Sequence, residues 1–413
     1  MADGSGPTSR SQIVQRLALM TVATLIYVLM PISQDEKPRP VGHFSQLARA
    51  FLEGRLSIDA ERGRIGELIP GKDPNRLYCP YPPLPAILLM PFVLVTHVKV
   101  ELACRLISVV NVWLIYACLH RLPKKFGRPA LTEKSRIVLT LFFAFGTVAW
   151  HNAKMGGDWH LAHAVAMCAM LLALCEYTRS NRALVIGCFV GLAMLSRPTA
   201  ALTGLFFALP LLKKNQLAEI AKLSIGPVIA LVLLGTYNAA RFGTATDFGY
   251  ERMLLQGEGQ RLMAAYGQFD QAFLLRNVFW FFLAPPWLRT DGGFPWLGYD
   301  PHGLSLFLAS PALLYVFAAL RREWKQPGVK SAALSIVVCL VPLLMYFNTG
   351  YWQFGHRFSM DYLPMLIVLT VAGTGPRPSR TAYGLILLSI GVQTWGVMFD
   401  SVAPLPSWLP PSI

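Results

Sequence analysis

The chain has 413 residues, 54% of them hydrophobic and 14% charged, with a mean hydropathy of +0.45. Soluble domains carry about 25% charged residues, so the composition excludes a soluble globular enzyme and points to an all-α polytopic membrane protein. The net charge of +15 would suit a nucleic-acid partner, but the basic residues alternate with apolar runs and form no single patch.

In chain order, Arg10 and Arg16 precede an apolar run at 17–32 with no small-x-small cleavage site after it. It reads as an uncleaved first span. The stretch SQDEKPRPVGHFSQLARAFLEGRL (33–56) follows. After the acidic pair Asp35 and Glu36, residues 43–56 place Phe44, Leu47, Ala48, Phe51, Leu52 and Leu56 on one side of a helix. Ser45, Gln46, Arg49 and Glu53 fall on the other. This spacing predicts a helix too short and too charged to span, lying in the interface with one face in lipid. Next comes LYCPYPPLPAILLMPFVLVTHV (77–98), where Pro80, Pro82, Pro83 and Pro85 set an extended lead-in. The apolar helix at 86–97 stops before Lys99 and Glu101 and reads as a second interfacial or re-entrant helix.

Further spans are expected near 102–120, 136–152, 160–178, 183–196, 199–212, 223–240, 304–320, 331–347, 360–374 and 381–399, about 11 in all with the first. The run 183–212 is too long for one crossing and has basic residues at both ends. It predicts a hairpin of two short helices turning at Arg197-Pro198, below the outer surface. With the N-terminus cytoplasmic, the inner segments hold 19 basic residues against 5 acidic ones, and the outer side 18 against 17. The basicity is thus a positive-inside topology signal, and the span count puts the C-terminus on the extracytoplasmic side. The large outer loops are 34–101 and 241–303, the latter with an apolar patch at 273–283, and the whole chain reads as one transmembrane domain. The seven cysteines lie mostly in apolar runs and include no CxxC, so neither a disulfide nor a cysteine metal site is expected.

Five stretches carry a family resemblance: HFSQLARAFLEGRLSID (43–59), LYCPYPPLPAILLMPF (77–92), GLAMLSRPTA (191–200), YNAARFGTATDFGY (237–250) and FGHRFSMDYLPML (354–366). With an acidic pair ahead of two interfacial helices, the chain resembles the GT-C glycosyltransferases. Within them it is most similar to the bacterial, family 39-like branch of protein O-mannosyltransferases and lipid A aminoarabinose transferases. The resemblance implies a GT-C-like bundle. It also implies a polyprenyl-phosphate sugar donor and inverting transfer to a glycan, lipid or protein acceptor on the extracytoplasmic face. No cofactor is then required, since the donor is already activated.

Such a transfer needs a carboxylate to take the acceptor's proton. The resemblance places it early in the first outer loop, at Asp35 or Glu36; Asp59, Glu67 and Asp73 are further acids there. The leaving phosphate calls for arginine. Arg197, Arg357 and Arg241 sit at outer span ends, and Asp361 at i+4 from Arg357 makes an ion pair the alternative reading for that residue. HNAKMGGDWHLAH (151–163) supplies Asp158, His160 and His163 as a polar cavity wall, with His43, Tyr250 and Asp361 as further lining. Asp158 can instead cap its own helix. An Asp with two His can hold a divalent metal, but no zinc spacing is present and none is expected. Two rivals keep the same features: a transporter or flippase of a lipid-linked glycan, and a non-catalytic GT-C-like assembly subunit.

Overall fold

Apolar runs of this length satisfy their own backbone only as helices, and helices dominate the computed structural model. It describes residues 10–30, 42–59, 68–70, 76–95, 99–253, 255, 257–289 and 294–399. The chain opens with α1 (Arg10–Leu29), which packs against α4 (Val100–Lys125). Between them, α2 (His43–Leu52) precedes an antiparallel sheet of β1 (Ile58–Asp59), β2 (Ile69–Pro70) and β3 (Arg76–Tyr78) in the order β1-β3-β2. The register pairs Ile58 with Leu77 and Ile69 with Tyr78. After it comes α3 (Leu84–Val93), begun by the proline lead-in.

The expected 136–152 span is two helices, α5 (Glu133–Phe145) and α6 (Val148–Met155). The break falls at Gly146, where Thr147 caps the new helix by accepting from the Ala149 N–H at 3.3 Å. Next come α7 (Asp158–Thr178), α8 (Ala183–Met194), α9 (Pro198–Ala201), α10 (Leu205–Lys213) and α11 (Leu217–Phe242). The second large loop holds α12 (Gly257–Tyr266), α13 (Leu274–Val278) and the hairpin of β4 (Trp287–Leu288) with β5 (Leu297–Gly298). A π-helical turn, Phe279–Leu283, extends α13, so the apolar patch of this loop is helical. The chain closes with α14 (Leu306–Ala309), α15 (Tyr315–Glu323), α16 (Pro327–Leu344), the 3₁₀ turn Arg357–Asp361, α17 (Leu363–Thr374) and α18 (Arg380–Met398).

Every apolar segment read from the sequence contains helix. Among the described residues, however, only five helices are long and apolar enough to cross a membrane alone: α4, α7, α11, α16 and α18. The count of about 11 crossings is therefore not established. Shorter apolar helices, α1, α3, α8 and α17 among them, complete the bundle.

The first outer loop departs from its expected form. Phe44, Leu47, Ile58, Leu68, Leu77, Leu84 and Leu89 make a small core of their own, packed on Leu161 and Val165 of α7. Ser45 and Gln46, on the polar side of α2, are only 2% and 7% exposed. The first turns of α2 are thus enclosed in protein rather than resting one face in lipid. By contrast α3 turns Ile87, Leu88 and Phe92 outward, as a helix facing lipid does.

Two further findings concern packing. Cys118 and Cys175 form a disulfide between α4 and α7, with Cα atoms 5.1 Å apart, where none was expected; these helices pack along their length. Helices α8 and α11 touch backbone to backbone at Gly187, Gly191 and Gly226, in the small-residue spacing that lets membrane helices approach closely. A Cβ at Gly226 would lie 2.1 Å from the Gly187 carbonyl oxygen. We expect Gly226→Val to separate the pair and lower stability by about 1–3 kcal/mol. Thermal unfolding in detergent checks this, and an unchanged Tm would refute the contact.

Candidate active site

The α8–α9 hairpin turns at Ser196-Arg197 inside the protein, where Ser196 is fully buried. Ser196 Oγ donates to the Ala162 carbonyl at 2.8 Å and fixes the turn to α7. The Leu84 N–H donates to the Leu195 carbonyl at 3.1 Å, which ties the start of α3 to the same turn. Together they floor a cavity of about 550 Å³. Its wall takes Tyr81 and Pro82 from the lead-in to α3, Trp159 and His163 from α7, and Arg197 and Thr199 from the hairpin. Tyr250 comes from the second loop, and Tyr346, Tyr351 and Arg357 from the segment after α16.

Beneath this wall lies Asp361, 1% exposed. Its carboxylate accepts from Arg197 Nε at 2.6 Å and Nη2 at 2.9 Å, from Thr199 Oγ1 at 2.5 Å, and it meets His163 Nδ1 at 3.0 Å. A buried charge is tolerable only when paired and hydrogen-bonded, and this one is met by a two-pronged guanidinium. The i+4 pair of Arg357 with Asp361 is replaced by this pair across 164 residues. Arg357 donates from Nη1 to the Tyr351 carbonyl at 3.0 Å, and its guanidinium lies 4.7 Å from the centre of the Trp159 ring. Trp159 Nε1 in turn donates to the Tyr81 hydroxyl. Burial raises the Tyr250 phenol above its ordinary value, with Arg197 and Arg241 pulling the other way, so it meets the cavity as a neutral hydroxyl.

Of the residues singled out in the sequence, Arg197, Arg357, His163 and Tyr250 line the cavity, with Asp361 directly behind. Asp35 and Glu36 lie outside the described residues, as do Glu67 and Asp73. Arg241 does not line the cavity. It donates from Nη1 to the Cys79 carbonyl at 2.5 Å and from Nη2 to Asn238 Oδ1 at 2.8 Å, tying the end of α11 to the first loop. Asp158, His43 and His160 also lie off the wall. Rather than capping its own helix, Asp158 caps α2: Oδ2 accepts from the His43 N–H and Oδ1 from the Phe44 N–H, both at 2.9 Å. Gly42 is the N-cap of α2 and has no side chain to do this. We expect Asp158→Ala to cost about 1–2 kcal/mol, with Asp158→Asn intermediate; equal unfolding temperatures for all three proteins would contradict it. The His160 carbonyl accepts from Asn152 Nδ2 at 3.0 Å. Among the described residues no three His, Cys, Asp or Glu side chains converge as metal ligands would.

Thr199 and Tyr346 are wall residues that the sequence does not single out. Thr199 stands two residues from Arg197 in SRPT, a spacing that signals a shared partner only once the turn is known.

The family model of Glycosyltransferase family 87 matches residues 78–345. The chain belongs to glycosyltransferase family 87. This is a GT-C-type family, so the superfamily expected from the sequence holds, with family 87 in place of the family 39-like branch. Most of the cavity wall, from Tyr81 to Leu343, falls inside the match, while Tyr346, Arg357 and Asp361 follow it. The fold is similar to that of ArnT from Cupriavidus metallidurans. The structure bound to undecaprenyl phosphate superposes with a TM-score of 0.51 at 13% identity, over 93% of this chain and 63% of ArnT. The apo structure gives 0.52 at 13% identity, over 91% and 62%. The chain thus spans less than two thirds of ArnT's length. No curated protein matches it.

Proposed function

We propose that this family 87 protein moves a sugar from a polyprenyl-phosphate donor to an acceptor on the extracytoplasmic face, with inversion. The observation that carries this reading is the pair Arg197 and Arg357 on the wall of an internal cavity whose rim, at Tyr81 and Pro82, leads to α3 with its exposed Ile87, Leu88 and Phe92. About 550 Å³ accommodates a monosaccharide phosphate. Arginines held this close to hydrocarbon are costly unless they serve a ligand or a partner. Aromatic faces at Tyr81, Trp159 and Tyr351 suit the apolar side of a sugar ring. ArnT, which shares the fold, binds undecaprenyl phosphate.

In the reaction, the bond from the anomeric carbon to the phosphate oxygen breaks, and its electron pair leaves on the phosphate, stabilised by Arg357 and Arg197. The acceptor oxygen bonds to the same carbon from the opposite side. Its proton passes to a carboxylate, which the family resemblance implies is Asp35 or Glu36. The charge distribution supports an N-terminus inside, and a bacterial inner membrane rests on the family resemblance alone.

Purified protein in detergent, given undecaprenyl-phosphate sugars and a lipid and glycan extract, is expected to release undecaprenyl phosphate. A transporter needs two compartments and would release none. Full activity in an Asp35→Asn, Glu36→Gln double variant would remove the assigned base.

A further inference from the structure

The contact between His163 and Asp361 fixes which nitrogen of the imidazole carries the proton. Asp361 accepts two bonds from Arg197 and one from Thr199, so it is the ionised, acceptor-only form. At 3.0 Å from its Oδ1, Nδ1 of His163 must be the N–H donor. The ring is neutral, being fully buried beside the Arg197 guanidinium that already balances Asp361, so Nε2 is left with a lone pair and no proton. That atom is buried, with no hydrogen-bond partner among the described residues. The residue is itself 0% exposed yet lines the cavity. The ring cannot turn to hide the lone pair, because the turn would break the bond to Asp361. A buried acceptor with no donor is unfavourable. Arginine side chains only donate, so they complement a phosphate, whereas His163 Nε2 only accepts and complements a hydroxyl.

We propose that His163 Nε2 accepts a hydrogen bond from one hydroxyl of the bound sugar and makes the cavity selective for sugars that carry it. Asp361 is the positioning residue, holding the imidazole in the accepting tautomer and the Arg197 fork at the phosphate side. This rests on the glycosyltransferase reading above. It names a part of the substrate which that reading leaves open, namely a hydroxyl donor at the end of the cavity formed by α7.

The test uses the full chain in detergent and a panel of undecaprenyl-phosphate hexoses, with the monodeoxy analogues of whichever hexose is transferred. One deoxy position is expected to lower wild-type kcat/KM by about 10- to 100-fold. His163→Phe keeps a ring and removes the acceptor. It is expected to lose about the same factor with the parent sugar and to treat parent and deoxy analogue alike. A folded His163→Phe protein that keeps the wild-type preference overturns the proposal while the glycosyltransferase reading stands. A wild type that consumes none of the donors contradicts that reading and removes the sugar from this one. A second measurement needs no turnover. In ¹⁵N-histidine spectra, the signal lost in His163→Phe is expected to show an unprotonated Nε2, and a protonated Nε2 overturns the proposal.

Discussion

Asp361→Ala is expected to be the most damaging single substitution in the cavity region. It strips the carboxylate from Arg197, Thr199 and His163 at once. Losing one partner of a buried ion pair costs about 3–5 kcal/mol, because the other charge stays behind without compensation. For a chain whose total stability is on the order of 5–15 kcal/mol, this removes a large share of it, so the unfolding temperature should fall sharply and the aggregated fraction should rise. Asp361→Asn keeps the shape and can still accept one bond. It should fold while losing transfer activity, since Arg197 is then no longer held as a fork. Size-exclusion profiles and unfolding temperatures for both variants check this; an Asp361→Ala protein within about 1 kcal/mol of wild type would show that the buried pair does not form.

Arg357→Lys carries the second large effect, and here the loss should fall on activity. The change keeps the charge but removes the planar fork, which donates to the Tyr351 carbonyl and lies over Trp159. If the donor phosphate sits against this guanidinium, kcat/KM should drop by about 10²- to 10³-fold, as when one oriented charge-stabilising donor is removed. The unfolding temperature should barely move. Arg197→Lys should behave differently, losing stability together with activity, because Asp361 needs the same fork. Equal activity of Arg357→Lys and wild type would take this residue out of the phosphate site.

Much of the fold was legible because it follows from local pattern. Runs of apolar residues bounded by basic clusters located the helices, and the excess length of 183–212 located a turn at Arg197 inside the protein. The finer pairings were not legible, for identifiable reasons. The i+4 rule links Arg357 to Asp361 only on an α-helix. Residues 357–361 form a 3₁₀ turn, with three residues per turn, so positions four apart do not face one another. Asp361 is therefore available to Arg197, 164 residues away. Asp158 begins α7, where a self-cap is the local expectation, but its carboxylate serves α2 across 115 residues. The amphipathic pattern of α2 marked its apolar side correctly. It could not show that Ser45 and Gln46, on the polar side, are buried as well. The break at Gly146 and the cap at Thr147 were present in the sequence as a glycine followed by a β-branched hydroxyl, hidden inside an otherwise continuous apolar run.

The donor site is tested best by a cryo-EM structure of the protein with undecaprenyl phosphate bound. Phosphate density is expected inside the cavity, within hydrogen-bonding distance of Arg357 and Arg197, with the isoprenoid chain leaving past Tyr81 and Pro82 along α3. Phosphate bound elsewhere on the protein, with the two arginines still facing an empty cavity, would contradict it.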